Sequence, residues 1–160
     1  MLMYNPDRTD WKIIALLNED GRMSSAEIAR RLGNISARTV TNRIDILTKQ
    51  GIINIRSIVN PESLGFCVLA DVFIKTEPGL LREVAQKVGE TPQVSYVACA
   101  TGDTDIIISV RSRNIEEMYE FVTETIGKIH GVLHTRTYLL PLNLKDNLTW
   151  LPPNILENEH

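Results

Sequence analysis

The chain has 160 residues, of which 43% are hydrophobic and 23% charged, and its net charge is −3. That length suits one ordinary domain or two small ones, and the composition is that of a folded globular protein. No run approaches the roughly 18 apolar residues of a membrane-spanning helix, and residues 1–6 lack the basic flank and apolar core of a signal peptide, so no membrane partner and a cytoplasmic location are expected.

Three helical patterns open the chain. In the first, Asp7 can cap the helix and Asp10 favours its first turn, while Ile13, Ile14 and Leu17 form an apolar face that ends before Gly21. The second begins with Ser24-Ser25-Ala26-Glu27, an S-x-x-E capping box, turns Ile28, Ala29 and Leu32 inward, and stops at Gly33 after about two turns. The third opens at Ser36 and places Val40, Ile44 and Leu47 at i, i+4 and i+7 before Gly51 closes it. A short helix, a tight turn and a longer helix make a helix-turn-helix. The β-branched run Ile52–Val59 then reads as extended structure, a wing or a strand leading out of the head.

The third helix turns Ala37, Arg38, Thr39, Thr41, Asn42 and Arg43 outward from its N-terminal half, a surface without a carboxylate. Arginine can bind guanine edges or phosphate, asparagine can bind adenine edges, and hydroxyls at a helix N-terminus suit phosphate. Arg38, Thr41 and Asn42 are therefore expected at the bases of double-stranded DNA and Thr39, Arg43 and Arg56 along its backbone, with Ser36 and Ala37 as further DNA-binding residues. Charge agrees: residues 1–60 hold nine Lys/Arg against six Asp/Glu, a net of +3, and residues 61–160 hold eight against fourteen, a net of −6. On pattern alone, a solvated polar face in a protein–protein module stays open.

Asn60-Pro61-Glu62-Ser63-Leu64-Gly65 is a break with turn residues at both ends. Beyond it, strand patterns at 66–75, 93–100, 106–110 and 132–140 alternate with helical patterns at 80–88 and 115–126. The order β-α-β-β-α-β predicts a ferredoxin-like sheet with helices on one face. The apolar runs Phe66–Ile74 and Ile106–Val110 are too rich in hydrophobes for a solvated second face, which predicts an obligate dimer packed sheet on sheet. The turn Ala100-Thr101-Gly102-Asp103-Thr104-Asp105 bares backbone N–H groups that can hold a carboxylate, beside aspartates that can pair with an ammonium group. That combination suits a free amino acid, although an ordinary hairpin whose aspartates cap their own backbone would look the same.

Four parts are thus expected: a winged helix-turn-helix over 1–53, a linker over 54–65, an α+β ferredoxin-like dimerisation and effector domain over 66–142, and a tail over 143–160 whose start packs on the dimer and whose end, 154–160, is frayed. Cys67 and Cys99 sit in apolar runs and are expected as buried thiols in a reducing compartment. His130 and His134 flank the stop at Gly131, share no helical face, and make no metal site. No nucleophile triad and no phosphate-binding glycine loop is present, and neither catalysis nor a cofactor is expected.

The ordered set Asp7-x-x-Asp10-x-x-Ile13-Ile14-x-x-Leu17, Asp20-Gly21-Arg22, Glu27-Ile28-Ala29-x-x-Leu32-Gly33 resembles the Lrp/AsnC (feast/famine) regulators. So do Ser36-x-x-Thr39-Val40-x-x-Arg43-Ile44-x-x-Leu47-x-x-x-Gly51-Ile52-Ile53, Asn60-Pro61-x-x-Leu64-Gly65, the turn Thr101–Asp105, and Gly131-Val132 with Thr135-Arg136-Thr137-Tyr138. The resemblance spans residues 6–142. It implies a transcriptional regulator that dimerises and assembles further, to tetramers or octamers, and that binds an amino-acid effector near the turn. Ala100, Thr101, Gly102, Asp103 and Asp105 are the expected contacts, with Tyr138 and Leu140 on the last strand as further ones. Thr104 stands where the family often has an aromatic residue, and the turn at 33–36 is one residue longer than usual. Two other readings keep the architecture: an enzyme like the siroheme decarboxylases, which would take up a coloured iron tetrapyrrole, and a metabolite-sensing assembly protein without DNA binding.

Overall fold

The computed structural model describes residues 4–145 and 150–152, so the expected fraying of 154–160 lies outside the described residues. The chain forms two compact units, one built from the first 58 residues together with the chain after Leu144, the other from Val59–Leu144.

The first unit holds α1 (Arg8–Glu19), α2 (Ser25–Leu32) and α3 (Ala37–Lys49). A reciprocal capping box starts α1: Asp7 accepts from the backbone N–H groups of Thr9 and Asp10, and Asp10 accepts from the backbone N–H of Asp7. The box expected on α2 is only half formed. Ser24 Oγ accepts from Glu27 N at 3.2 Å, but the Glu27 carboxylate binds Arg30 and Arg31 instead of reaching back. Those guanidiniums hold the Glu27 carboxyl down at about 2. Gly33 ends α2 at φ 75°, a left-handed conformation that a side chain would resist, and this sharp exit lets α3 begin four residues after Gly33, capped by Ser36. Ile13, Ile28 and Val40 form the wholly buried centre, with Leu16, Leu17, Met23, Leu32, Ile35 and Ile44 packed around it.

No strand forms over 52–59, contrary to expectation. Ile52 and Ile53 donate to the Leu47 carbonyl, and the chain continues irregularly with Ile55, Ile58 and Val59 exposed. β-branched composition favours extension, but a strand also needs a ladder partner. The described parts of this unit contain no other strand to supply one.

The second unit contains β1 (Val68–Thr76), α4 (Leu81–Gly89), β2 (Val94–Cys99), β3 (Ile106–Ser112), α5 (Ile115–Glu120, continuing as a π-helical turn through Ile126) and β4 (Val132–Leu139). The sheet order is β2-β3-β1-β4 and every pairing is antiparallel, the ferredoxin-like layout. Period-two alternation decides which side chains meet the helices. Ala70, Val72 and Ile74 of β1 and Ile106, Ile108 and Val110 of β3 pack on Val84 and Val88 of α4 and on Met118, Phe121, Val122 and Ile126 of α5. The intervening residues Leu69, Asp71, Phe73, Lys75, Ile107, Ser109 and Arg111 face the other way and are half-buried. That second face is mixed, not uniformly apolar: Ser109 Oγ donates to Asp71 Oδ1 at 2.7 Å near its middle. Both cysteines are exposed, which corrects the expectation of buried thiols. Cys99 ends the edge strand β2 and Cys67 precedes β1, so neither reaches the core.

Candidate nucleic-acid interface and effector pocket

The third helix carries the expected DNA-reading residues, but the fold employs several of them. Ser36 Oγ accepts from Thr39 N at 3.1 Å, and the two hydroxyls lie 2.8 Å apart in a hydrogen bond of their own. Thr41 Oγ1 lies within bonding distance of Ser25 Oγ (2.9 Å) and the Ala37 carbonyl (3.1 Å). One hydroxyl proton cannot serve those acceptors and a base edge at once. Arg43, expected on the phosphates, donates through Nη1 to Asp7 Oδ2 at 2.7 Å and Asp10 Oδ1 at 2.8 Å. Its side chain keeps 26% of its exposure, while Asp10 keeps none. The two carboxylates bind the guanidinium proton more firmly than usual, and the Asp10 N–H and Arg43 hold the Asp7 carboxyl below its ordinary range. Sequence periodicity could not reveal this, because the partners lie 33 and 36 residues apart. Arg38 and Asn42, one helical turn apart, remain exposed, and among the described residues neither is engaged by another side chain. Ala37 is half-buried in the first turn, and Arg56 is exposed on the irregular segment.

In the second unit, a cavity of about 460 Å³ opens on the sheet face that carries no helix. Of the expected effector residues, Asp103, Tyr138 and Leu140 line it; Ala100, Thr101, Gly102 and Asp105 do not. Four lining residues were not foreseen: Asp71 and Phe73 on β1, Arg136 on β4, and Thr104, which the sequence singles out only as a departure. A signal was available for two of them. Asp71 is the lone acid among apolar neighbours in β1, and Phe73 shares its face two residues on. Register explains the grouping, since Asp71 pairs with Tyr138 and Phe73 with Arg136 across the β1–β4 ladder. The Phe73 and Tyr138 rings meet edge to face at 5.3 Å.

Gly102, at φ 127°, allows the turn between β2 and β3, and the Ala100 N–H donates to the Asp105 carbonyl at 2.8 Å to close it. Asp105, expected to meet an ammonium group of a ligand, is occupied within the fold. Lys75 Nζ donates to Oδ1 at 2.9 Å, and Thr76 donates to Oδ2 from its backbone N–H at 2.8 Å and its hydroxyl at 3.2 Å. The Thr76 N–H and Lys75 hold its carboxyl below the ordinary aspartate value. A depressed folded value means the contribution to stability is complete above the unfolded value of about 4 and is lost as pH falls through the folded one. Asp105→Asn should therefore remove part of the acid-dependent loosening of this turn. NMR titration of the side-chain carboxyls checks it: in the wild type, Asp105 should titrate below a model aspartate.

Among the described residues, no group of three His, Cys, Asp or Glu side chains could hold a metal ion, and no helix is long and apolar enough to cross a membrane.

A helix-turn-helix head joined to a βαββαβ unit with a largely apolar pocket that also carries Arg136, Asp71 and Asp103 defines a ligand-binding transcriptional regulator. Residues 6–54 match the winged helix-turn-helix DNA-binding model, and residues 69–149 match the Lrp/AsnC ligand binding domain. The HTH-type transcriptional regulator FL11 of Pyrococcus furiosus is 36% identical over 147 residues, covering 91% of this chain and 95% of that one. Among solved structures, Escherichia coli AsnC superposes with a TM-score of 0.84 at 26% identity, covering 89% and 97%. The Neisseria meningitidis regulator NMB0573, solved as an L-Met complex, reaches 0.86 at 26% identity, covering 95% and 99%. The chain belongs to the Lrp/AsnC family of transcriptional regulators.

Proposed function

We propose that the chain is an amino-acid-responsive regulator whose DNA affinity or assembly state changes when a free amino acid enters the sheet-face pocket. One observation carries this reading: Arg136 shares a pocket wall with Asp71 and Asp103, beside Phe73, Tyr138 and Leu140. An amino acid needs a cation for its carboxylate, a carboxylate for its ammonium group and apolar surface for its side chain. The L-Met bound to the neisserial relative supports the ligand class. A second copy packed on the helix-free sheet face would form the dimer, the unit from which tetramers or octamers grow. Pocket and dimer surface are then contiguous, and any effect of the ligand on partner affinity is matched by an equal effect of the partner on ligand affinity.

In this reading, α3 enters the major groove of double-stranded DNA with Arg38 and Asn42 at base edges, and its N-terminus and Arg56 lie along phosphates. The relatives are named as transcriptional regulators, and no observation favours the enzymatic alternative.

Thermal shift of the full chain with each of the twenty amino acids tests the pocket. A ligand at a hundred times its Kd should add about 2.7 kcal/mol to apparent stability, and Arg136→Gln should abolish that gain. If no amino acid stabilises the chain, or Arg136→Gln responds like the wild type, the pocket assignment falls. Binding to duplex DNA should weaken steeply with salt, by about 0.9 in log K per log salt for each phosphate neutralised; a flat gel-shift series would contradict the groove placement.

A further inference from the structure

Arg43 lies on the helix assigned to DNA, yet its guanidinium is turned toward its own protein. Nη1 donates to Asp7 and Asp10 at 2.7 and 2.8 Å. Asp10 is wholly buried and accepts two further hydrogen bonds on Oδ2, from Tyr4 Oη at 2.8 Å and from the Asp7 N–H at 3.0 Å. The circuit ties the segment before α1, the first turn of α1 and the middle of α3 together. A buried carboxylate persists only when paired and fully bonded. An exposed ion pair would exchange readily for a phosphate, whereas this one would leave Asp10 charged and buried without its cation.

From this geometry we infer that Asp10 is a specificity-determining positioning residue that acts through Arg43. It withholds the Arg43 guanidinium from DNA phosphate and fixes the seat of α3. A phosphate contact strengthens binding to every sequence and carries no information about bases. With Arg43 retained, discrimination rests on Arg38 and Asn42 at a fixed helix angle. The inference depends on α3 being the DNA-reading helix.

The test uses the full chain, a duplex enriched from a random pool by the wild-type protein, and a scrambled duplex of equal length. Asp10→Asn keeps a side chain of similar shape but removes the buried one of the two carboxylates that hold Arg43, leaving only the exposed pair with Asp7, which a phosphate can displace. On the scrambled duplex it should tighten binding and steepen the salt slope by about 0.9, one added phosphate contact. On the enriched duplex that gain should be offset by poorer base placement, so that the specific-to-nonspecific ratio falls by about tenfold. The effect should vanish in an Arg43→Gln background. Asp45→Asn, which makes the same change in net charge on an exposed residue of α3 outside the circuit, should leave the ratio unaltered.

If tryptophan fluorescence shows Asp10→Asn unfolded, Asp7→Asn carries the same expectation at smaller size, because its side chain is exposed and asparagine caps a helix equally well. Parallel weakening on both duplexes with an unchanged slope would reduce Asp10 to a structural role and overturn the inference. So would an Asp45→Asn slope change equal to that of Asp10→Asn. A wild-type chain that enriches no duplex would defeat the assignment of α3 as well, whereas enrichment without the slope change defeats only the role of Asp10.

Discussion

Ile28→Ala should unfold the helix-turn-helix unit while the sheet unit keeps its structure. Ile28 keeps no exposure, and with Ile13 and Val40 it makes up the buried centre of a small core. Truncating a buried isoleucine costs about 2–5 kcal/mol, the lost transfer energy plus the cavity. A core of this size supplies a net of only about 3–5 kcal/mol, so one substitution consumes most of it. The chain offers a clean probe, because both of its tryptophans, Trp11 and Trp150, fall in the first unit. Tryptophan fluorescence should show its transition at much lower denaturant, while far-ultraviolet circular dichroism retains the sheet, and DNA binding should be lost. Ile55→Ala, at an exposed position, should shift the same transition by less than about 0.5 kcal/mol. Coincident transitions by both probes, moved by less than about 1 kcal/mol, would show that Ile28 is not central to that core.

What could be read from the sequence follows the range of the interactions involved. The caps Asp7, Ser24 and Ser36 act within three residues, and the helix starts they predict are where the chain places them. The element order β-α-β-β-α-β followed from apolar runs separated by helical patterns, and the sheet order is that of the ferredoxin-like layout it predicted. The Ile52–Val59 strand failed because composition sees propensity alone, and a strand also needs a ladder partner, which the described residues of the first unit do not supply. Glu27 failed as the second half of a capping box because two nearby arginines competed for its carboxylate. The pocket was legible at Asp103, Tyr138 and Leu140, yet Arg136 and Asp71 emerge only from the β1–β4 register, which no local pattern fixes. Asp105 and Arg43 show the same limit in reverse. Each has the chemistry of a ligand contact, and each is taken by a partner at least 29 residues away.

The other large effect is expected at Arg38. Ser36 and Thr39 bond each other, Thr41 is bonded to Ser25 and Ala37, and Arg43 is held by Asp7 and Asp10. Among the described residues, Arg38 is then the exposed guanidinium that α3 can offer to a base. A bidentate arginine–guanine contact is worth about 1–3 kcal/mol of discrimination, or roughly fivefold to more than a hundredfold in affinity. Arg38→Ala should weaken binding to an enriched duplex by that amount and flatten the sequence preference at the base pair it reads. Arg38→Lys should restore little of it, because an ammonium group cannot reproduce the planar fork. Asn42→Ala should relax a different position, one helical turn along. Comparing the sequences enriched from a random pool by wild type and variants checks these assignments directly. If Arg38→Ala lowers affinity equally for enriched and scrambled duplexes, and Arg38→Lys restores it fully, Arg38 acts on phosphate and the base readout must be sought on another surface of the head.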